Sequence, residues 1–267
     1  MNGFTLHNEK NIWYGSFAEF DKLGFGNAFS CRLHGKSSIV PGEFNLALHV
    51  GDEQEHVLDN RRAYADALGL DAADFTTCEQ VHGSNAVVVD GTLAGRGARN
   101  YDDAIKNTDA LVTNMPKLPL LLFFADCVPV ILADSASGCI GIAHAGWRGT
   151  VADIAQKTVQ KMQEAFGAKP ENIIAGIGPC IGSCCYEVDG TVYEAGKKHT
   201  VCFTPKGNGK YMADLPKWNS LSLIEADVLP KHIYTAGICT ECNKELFFSY
   251  RAENGKTGRM GVTIWKK

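Results

Sequence analysis

At 267 residues, with 45% hydrophobic and 21% charged content, the chain can bury a sizeable core and has the make-up of an ordinary soluble globular protein. A formal net charge of −4 offers no basic excess to neutralise phosphates, which argues against a nucleic-acid partner. The longest apolar run, LPLLLFFADCVPVILAD, is interrupted by Asp126 and two prolines, so it does not read as a membrane span. The opening MNGFTLHNEKNIWYGS lacks the basic-then-apolar layout of a secretory signal, and a cytoplasmic protein is expected. With no repeat, low-complexity tract or long linker, residues 1–267 read as one domain.

In chain order, a short strand is expected over 10–14. Residues 52–69, DEQEHVLDNRRAYADALG, then predict a helix: Asp52 and Glu55 resemble a capping box, Val57, Leu58, Tyr64, Ala65 and Leu68 form the apolar stripe, and Gly69 stops it. A strand over 86–89 precedes GTLAGRGARNYDDAIKN (91–107), polar and glycine-rich, which reads as a mobile surface loop. Strands over 109–113, 120–126, 128–133 and 139–144 follow. A second helix starts near Thr150 and Asp153, turns Val151, Ile154, Ala155, Thr158, Val159, Met162 and Phe166 inward, and ends at Gly167. Beyond a strand at 172–177, a third helix follows Asp214 and is halted by Pro230, with Trp218, Leu221, Ile224 and Val228 on its buried side. Strands over 233–238, 246–250 and 260–265 complete the chain. Three strands between 109 and 133 without a helix are too many for a doubly wound parallel sheet, so a layered, mixed α+β fold is expected.

Ten cysteines in a reducing compartment read mainly as packing residues, metal ligands or reactive thiols rather than a disulfide framework. Cys239 and Cys242 have CxxC spacing, and Cys180, Cys184 and Cys185 form another cluster. Neither has a second clean CxxC to complete a four-cysteine site.

Three apolar stretches end abruptly in soft or borderline metal ligands: CEQVHGSNAVVV at His82, FFADCVPVIL at Cys127 and IGIAHAGWRG at His144. Two imidazoles and a thiolate suit zinc and leave one coordination position open, the mark of a catalytic rather than a structural ion. The alternative is two hydrogen-bonded core histidines and a packing cysteine, and spacings of 45 and 17 residues form no local motif. The join AHAGWRGT, between a strand and a helix, also carries Arg148 between two glycines. Arg148 is a candidate anion fork and Arg251 a second, each with a surface ion pair or aromatic stacking as its alternative. Asp126 has only apolar neighbours and reads as functional, either as proton shuttle or as the acceptor that orients a histidine ring. Asn45, Gln80 and Tyr186 carry amide and phenol groups suited to sugar or base, and each has a structural alternative.

NLALHVGD (45–52), EQVHGSN (79–85), TDALVT (108–113), ADCVPVILAD (125–134), AHAGWRGT (143–150), GIGPCIGSCCYEV (176–188) and FFSYRAENGKTGRMGVTIW (247–265) occur in that order. Together they closely resemble the YfiH family of purine nucleoside phosphorylase, or laccase-domain, proteins, formerly called polyphenol oxidases. The resemblance implies a layered α/β/β/α fold and a metal site of His82, Cys127 and His144. It also implies phosphorolysis of adenosine, inosine and methylthioadenosine, with hydrolytic deamination of adenosine. The partners implied are purine nucleosides and phosphate, and a monomer or homodimer is expected. One departure is Ile181-Gly182-Ser183, where many relatives carry a proline.

Rival functions remain. A four-copper oxidase needs more histidines, many in His-x-His pairs; this chain has eight histidines and no such pair. A single copper in the His/Cys/His site remains compatible, with phenol oxidation in vitro as its consequence. Cys127 as a nucleophile with a histidine base is a second rival, and some relatives are linked to hydrolytic editing of peptidoglycan precursors. A non-enzymatic nucleoside binder is the third. The zinc deaminase motif is absent, so deamination would need another acid–base group, for which Asp126 is the candidate.

Overall fold

The structure is a computed structural model that describes residues 3–40 and 42–267. Two large sheets lie face to face. The first is antiparallel and five-stranded, in the order β1 (Phe4–Glu9), β2 (Ile12–Phe17), β3 (Phe25–Ser30), β14 (Met260–Lys266), β6 (Leu120–Phe124). The second is mixed and six-stranded, in the order β13 (Ile233–Thr235), β9 (Ile173–Ile177), β7 (Val128–Asp134), β8 (Cys139–Ala145), β5 (Ala110–Thr113), β4 (Ala86–Val88). Its outer pairs, β13 with β9 and β4 with β5, are parallel. A small sheet of β10 (Glu187–Val188), β12 (Lys210–Ala213) and β11 (Phe203–Gly207) stands apart. The helices are α1 (Ala18–Lys22), α2 (Gln54–Leu68), α3 (Trp147–Val151), α4 (Ile154–Phe166), α5 (Gly190–Ala195) and α6 (Leu215–Glu225).

The layering follows from side-chain alternation. On β6, Leu120, Leu122 and Phe124 enter the core between the sheets, while Leu121 and Phe123 join the core under α2. On β7, Ile131 and Ala133 face the other sheet, whereas Val128, Val130 and Leu132 face α4 and α6. Strands covered on both faces carry apolar side chains at nearly every position, which is why 120–124 and 128–133 read as continuous apolar runs on either side of Asp126. The resulting order is helix, sheet, sheet, helix, a mixed α+β fold.

Several expectations are corrected. Asp52 does not cap α2; the cap position is Glu53, without a side-chain bond. Asp52 instead accepts from the Ser38 amide and hydroxyl and from the Asn45 amide. The second helix is broken, because Asp153 takes a left-handed φ of 57° between α3 and α4. Ile224 on α6 is exposed. Residues 91–107 are tied down rather than free, since the buried Arg61 guanidinium donates to the Gly97 and Ala98 carbonyls. Residues 246–250 run as irregular backbone between two turns rather than as a strand.

Strands β1 and β3 and the small sheet escape sequence reading for physical reasons. β1 is an edge strand with mostly exposed side chains. In β3 the buried polar Asn27 interrupts the apolar pattern while exchanging two hydrogen bonds with the Phe17 backbone. The strand expected at 10–14 starts later, because Lys10 and Asn11 form a left-handed turn between β1 and β2.

Candidate metal and anion site

His144 lies near the end of β8, on the same parity as Ile140 and Ile142, so its ring points into the space between the sheets. There it meets the Phe124 ring at 5.4 Å. Cys127 sits in the turn joining β6 to β7. His82 is in the loop before β4. One donor atom from each of the three residues lies within 4.8 Å of the others, and the two imidazole centroids are 4.8 Å apart.

Asp109, at the start of β5 and fully buried, assembles this constellation. Its Oδ1 is 2.9 Å from Nδ1 of His144, which leaves Nε2 free for a metal. Its carboxylate also accepts the backbone N–H groups of Val81, His82 and Gly83. Those three bonds hold His82 at a left-handed φ of 59°, a conformation that costs energy away from glycine. The carboxylate that orients a histidine ring is therefore that of Asp109, not Asp126.

Asp126 is itself left-handed, at φ 81°, and buried. In an extended strand adjacent side chains face opposite sides; this kink lets both Asp126 and Cys127 line one cavity. The acceptors of Asp126 are used by the Thr240 hydroxyl at 2.6 Å, the Ser249 hydroxyl at 3.1 Å and the Arg251 backbone N–H at 2.7 Å. It thus anchors the segment that carries Arg251.

The electrostatics favour a thiolate. Burial alone would push the Cys127 thiol up, but charge and hydrogen bonds from His144 and His82 outweigh it and bring the thiol down to about 6. Burial likewise opposes an imidazolium at His144, yet Cys127 and Asp109 raise it to about 9. A borderline divalent cation replaces such a shared proton readily, and two imidazoles with a thiolate are its donor set.

The glycines of AHAGWRGT are now explained. A Cβ on Gly146 would stand 3.0 Å from His82 Cδ2 and 3.1 Å from the Cys127 sulfur, and one on Gly149 would stand 2.8 Å from the Gly83 carbonyl. Gly149 thus keeps the turn off the Gly83 backbone, and Gly146 keeps it from pressing on His82 and Cys127.

A cavity of about 560 Å³ opens on the three ligands. Arg148, Arg251 and Arg259 line it together with Tyr186 and Gln80. Arg148 lies within the short α3 rather than ahead of a long helix, with its guanidinium 4.3 Å from the Trp147 ring. Arg251 is exposed and 5.2 Å from the Tyr186 ring. Gln80 uses both ends of its amide on the Phe123 backbone, so it braces β6. Asn45 is not at the cavity. It is fully buried and binds Asp52, the Ala47 backbone and the Arg259 N–H.

Sequence reading missed Asp109, His49 and Arg259. All three sit in the quoted motifs, as a polar residue beside an apolar strand or turn. His49 lines the cavity; burial, then the charges of Arg259 and Arg61, lower it to about 4, so its ring is neutral at pH 7.

Residues 26–267 match the family described as multi-copper polyphenol oxidoreductase laccase. The chain belongs to this family. Purine nucleoside phosphorylase YlmD of Geobacillus stearothermophilus is 39% identical over 240 residues, 88% of each chain. Adenosine deaminase RL5, from an unknown prokaryotic organism, is 35% identical over 84% of this chain and 87% of its own. The crystal structure of the Bacillus licheniformis hypothetical protein YfiH superposes with a TM-score of 0.95, at 36% identity and full coverage of both chains. The "multi-copper" in this laccase family's description does not suit the donors: among the described residues, His82 and His144 are the only histidines in a group of three or more metal-binding side chains. No helix of the described residues is long and apolar enough to cross a membrane.

Proposed function

We propose that this chain is a zinc-dependent purine nucleoside phosphorylase, acting on adenosine, inosine and methylthioadenosine, with adenosine deamination as a side activity. The carrying observation is one cavity that joins a His82/Cys127/His144 donor set to three arginines. Its volume of about 560 Å³ lies in the range of small-molecule sites, and the relatives' names supply the substrate class.

Phosphorolysis forms a bond between a phosphate oxygen and C1′ of the ribose while the C1′–N9 bond breaks. The purine leaves with the bonding pair and takes up a proton. Arg148, stacked on Trp147, and Arg251, fixed through its backbone by Asp126, supply planar forks for the phosphate oxygens. Arg259 adds a third charge. The neutral His49 ring and the Tyr186 hydroxyl are placed to meet polar groups of the nucleoside. A zinc ion held by the three donors supplies a Lewis acid for the reacting substrate. In this reading Asp126 is a positioning residue, because its acceptors are already occupied. Copper competes for the same donors by intrinsic affinity, and phenol oxidation is the activity of that substituted form.

Supplying inosine to zinc-loaded protein tests the reading. Hypoxanthine and ribose 1-phosphate should form with phosphate present and not without it; absence of both products would sink the proposal.

One observation favours a second reading, in which Cys127 is the nucleophile of a hydrolase, including one that edits peptidoglycan precursors. Cys127 and His144 present donor atoms within 4.8 Å of each other, and their mutual interaction favours a thiolate beside an imidazolium, the arrangement such an enzyme uses. Activity that resists chelation but is abolished by a thiol alkylator would select it.

A further inference from the structure

We propose that Cys184, Cys185, Cys239 and Cys242 form a second, structural metal site that takes one zinc ion on four thiolates and staples together two loops of the substrate cavity. This inference stands independently of the phosphorylase reading. The sequence offers only one clean CxxC, Cys239-Thr-Glu-Cys242, so a four-cysteine site is not legible there. The fold supplies the missing pair by bringing the adjacent Cys184 and Cys185 against it. All four sulfurs lie within 4.8 Å of one another, with Cys242 at 3.5 Å from Cys184 and 3.4 Å from Cys185. Zinc–sulfur bonds of about 2.3 Å in a tetrahedron set sulfur–sulfur edges of about 3.8 Å. The cluster is therefore already close to the size of the polyhedron.

Packing does not explain it. Cys184 and Cys242 are exposed, and Cys185 and Cys239 are only half-buried, whereas a cysteine kept for its apolar volume is normally interior. The surroundings are also shaped for sulfur. The Gly182 N–H donates to the Cys239 sulfur at 3.3 Å. A Cβ on Gly182 would lie 3.2 Å from the Cys184 sulfur and 3.3 Å from Cys239 Cβ, so a larger residue would crowd the cluster. The cluster shares no ligand with the His82/Cys127/His144 site.

The consequence is mechanical. Cys184 and Cys185 follow Ile181 and precede Tyr186, both of which line the cavity. Cys239 flanks Thr240, the donor to Asp126, and the same segment runs on to Tyr250 and Arg251. The two loops already meet through the Cys180 N–H on the Ile238 carbonyl and the Thr240 N–H on the Cys180 carbonyl. An ion on four sulfurs would lock that junction and the cavity wall it carries.

Metal analysis of reduced, zinc-loaded protein tests the proposal. The Cys239→Ser/Cys242→Ser double variant should lose one equivalent of zinc per chain, while the equivalent removed by His144→Ala is retained. Equal zinc in wild type and double variant would overturn the assignment. Should the double variant fail to fold, cobalt loading of the Cys127→Ser chain decides, because that variant lacks the other site's thiolate. Strong thiolate-to-cobalt bands there support the four-sulfur site, and their absence refutes it.

Discussion

The Asp109 carboxylate lies 2.9 Å from Nδ1 of His144 and accepts the backbone N–H of His82 through the same oxygen, at 3.0 Å. One buried side chain thus fixes the His144 ring and the loop bearing His82. Carboxylate partners of metal-bound histidines set tautomer and orientation, and losing them typically costs about 10–100-fold in metal affinity. Asp109→Asn should weaken zinc binding by that order, read by competition against a chromophoric chelator. Unchanged affinity would mean that the loop and ring hold their places without it.

Gly146→Ala places a methyl group 3.0 Å from the His82 ring and 3.1 Å from the Cys127 sulfur. Both neighbours would have to give by a few tenths of an ångström, away from the position proposed for the metal. The variant should keep its far-ultraviolet circular dichroism yet carry much less than one zinc at the His/Cys/His site. Full occupancy in the variant would show that the turn has slack.

Asp126→Asn keeps a residue type tolerant of the left-handed backbone, but one acceptor oxygen becomes a donor. Three donors converge on this carboxylate, including the Arg251 N–H. Steady-state kinetics should show KM for phosphate rising roughly tenfold, the effect of losing about 1.4 kcal/mol of positioning, close to the lower end of the worth of a hydrogen bond to a charged group, with zinc content intact. A loss confined to kcat with KM unmoved would instead favour proton transfer at Asp126.

Asp52 carries the acid sensitivity of the Asn45 network. Burial opposes its charge, but donors from Ser37, Asn45 and Ser38 prevail and hold the carboxyl at about 2, below its unfolded value of about 3.9. Its contribution to stability is therefore complete above that unfolded value and is lost as pH falls towards 2. Urea midpoints of wild type and Asp52→Asn should differ at pH 6 and converge as pH drops from 4 to 2. A difference that stays constant across that range would exclude this linkage.

The long apolar strands, α2 with its stop at Gly69 and the candidate ligands His82, Cys127 and His144 were legible because each leaves a local trace: a run, a period, or a borderline ligand ending an apolar stretch. Edge strand β1 leaves none, since exposure frees its side chains from any pattern. Asn45 and Gln80 show the converse problem. Their amides look suited to a ligand, yet the fold uses them on its own backbone.

The chain's order of residues by itself determined the layered class, the elements of its interior and which side chains had the chemistry for a metal or an anion. Only the tertiary structure decided which of them meet. The loop before β4, the turn between β6 and β7 and the end of β8 converge at one edge of the sheets, so donors 45 and 17 residues apart come within 4.8 Å of one another, and Asp109 becomes their common support. The reason is that coordination and hydrogen bonding act over a few ångströms, whereas separation along a chain says nothing of distance until strand pairing closes the loops between.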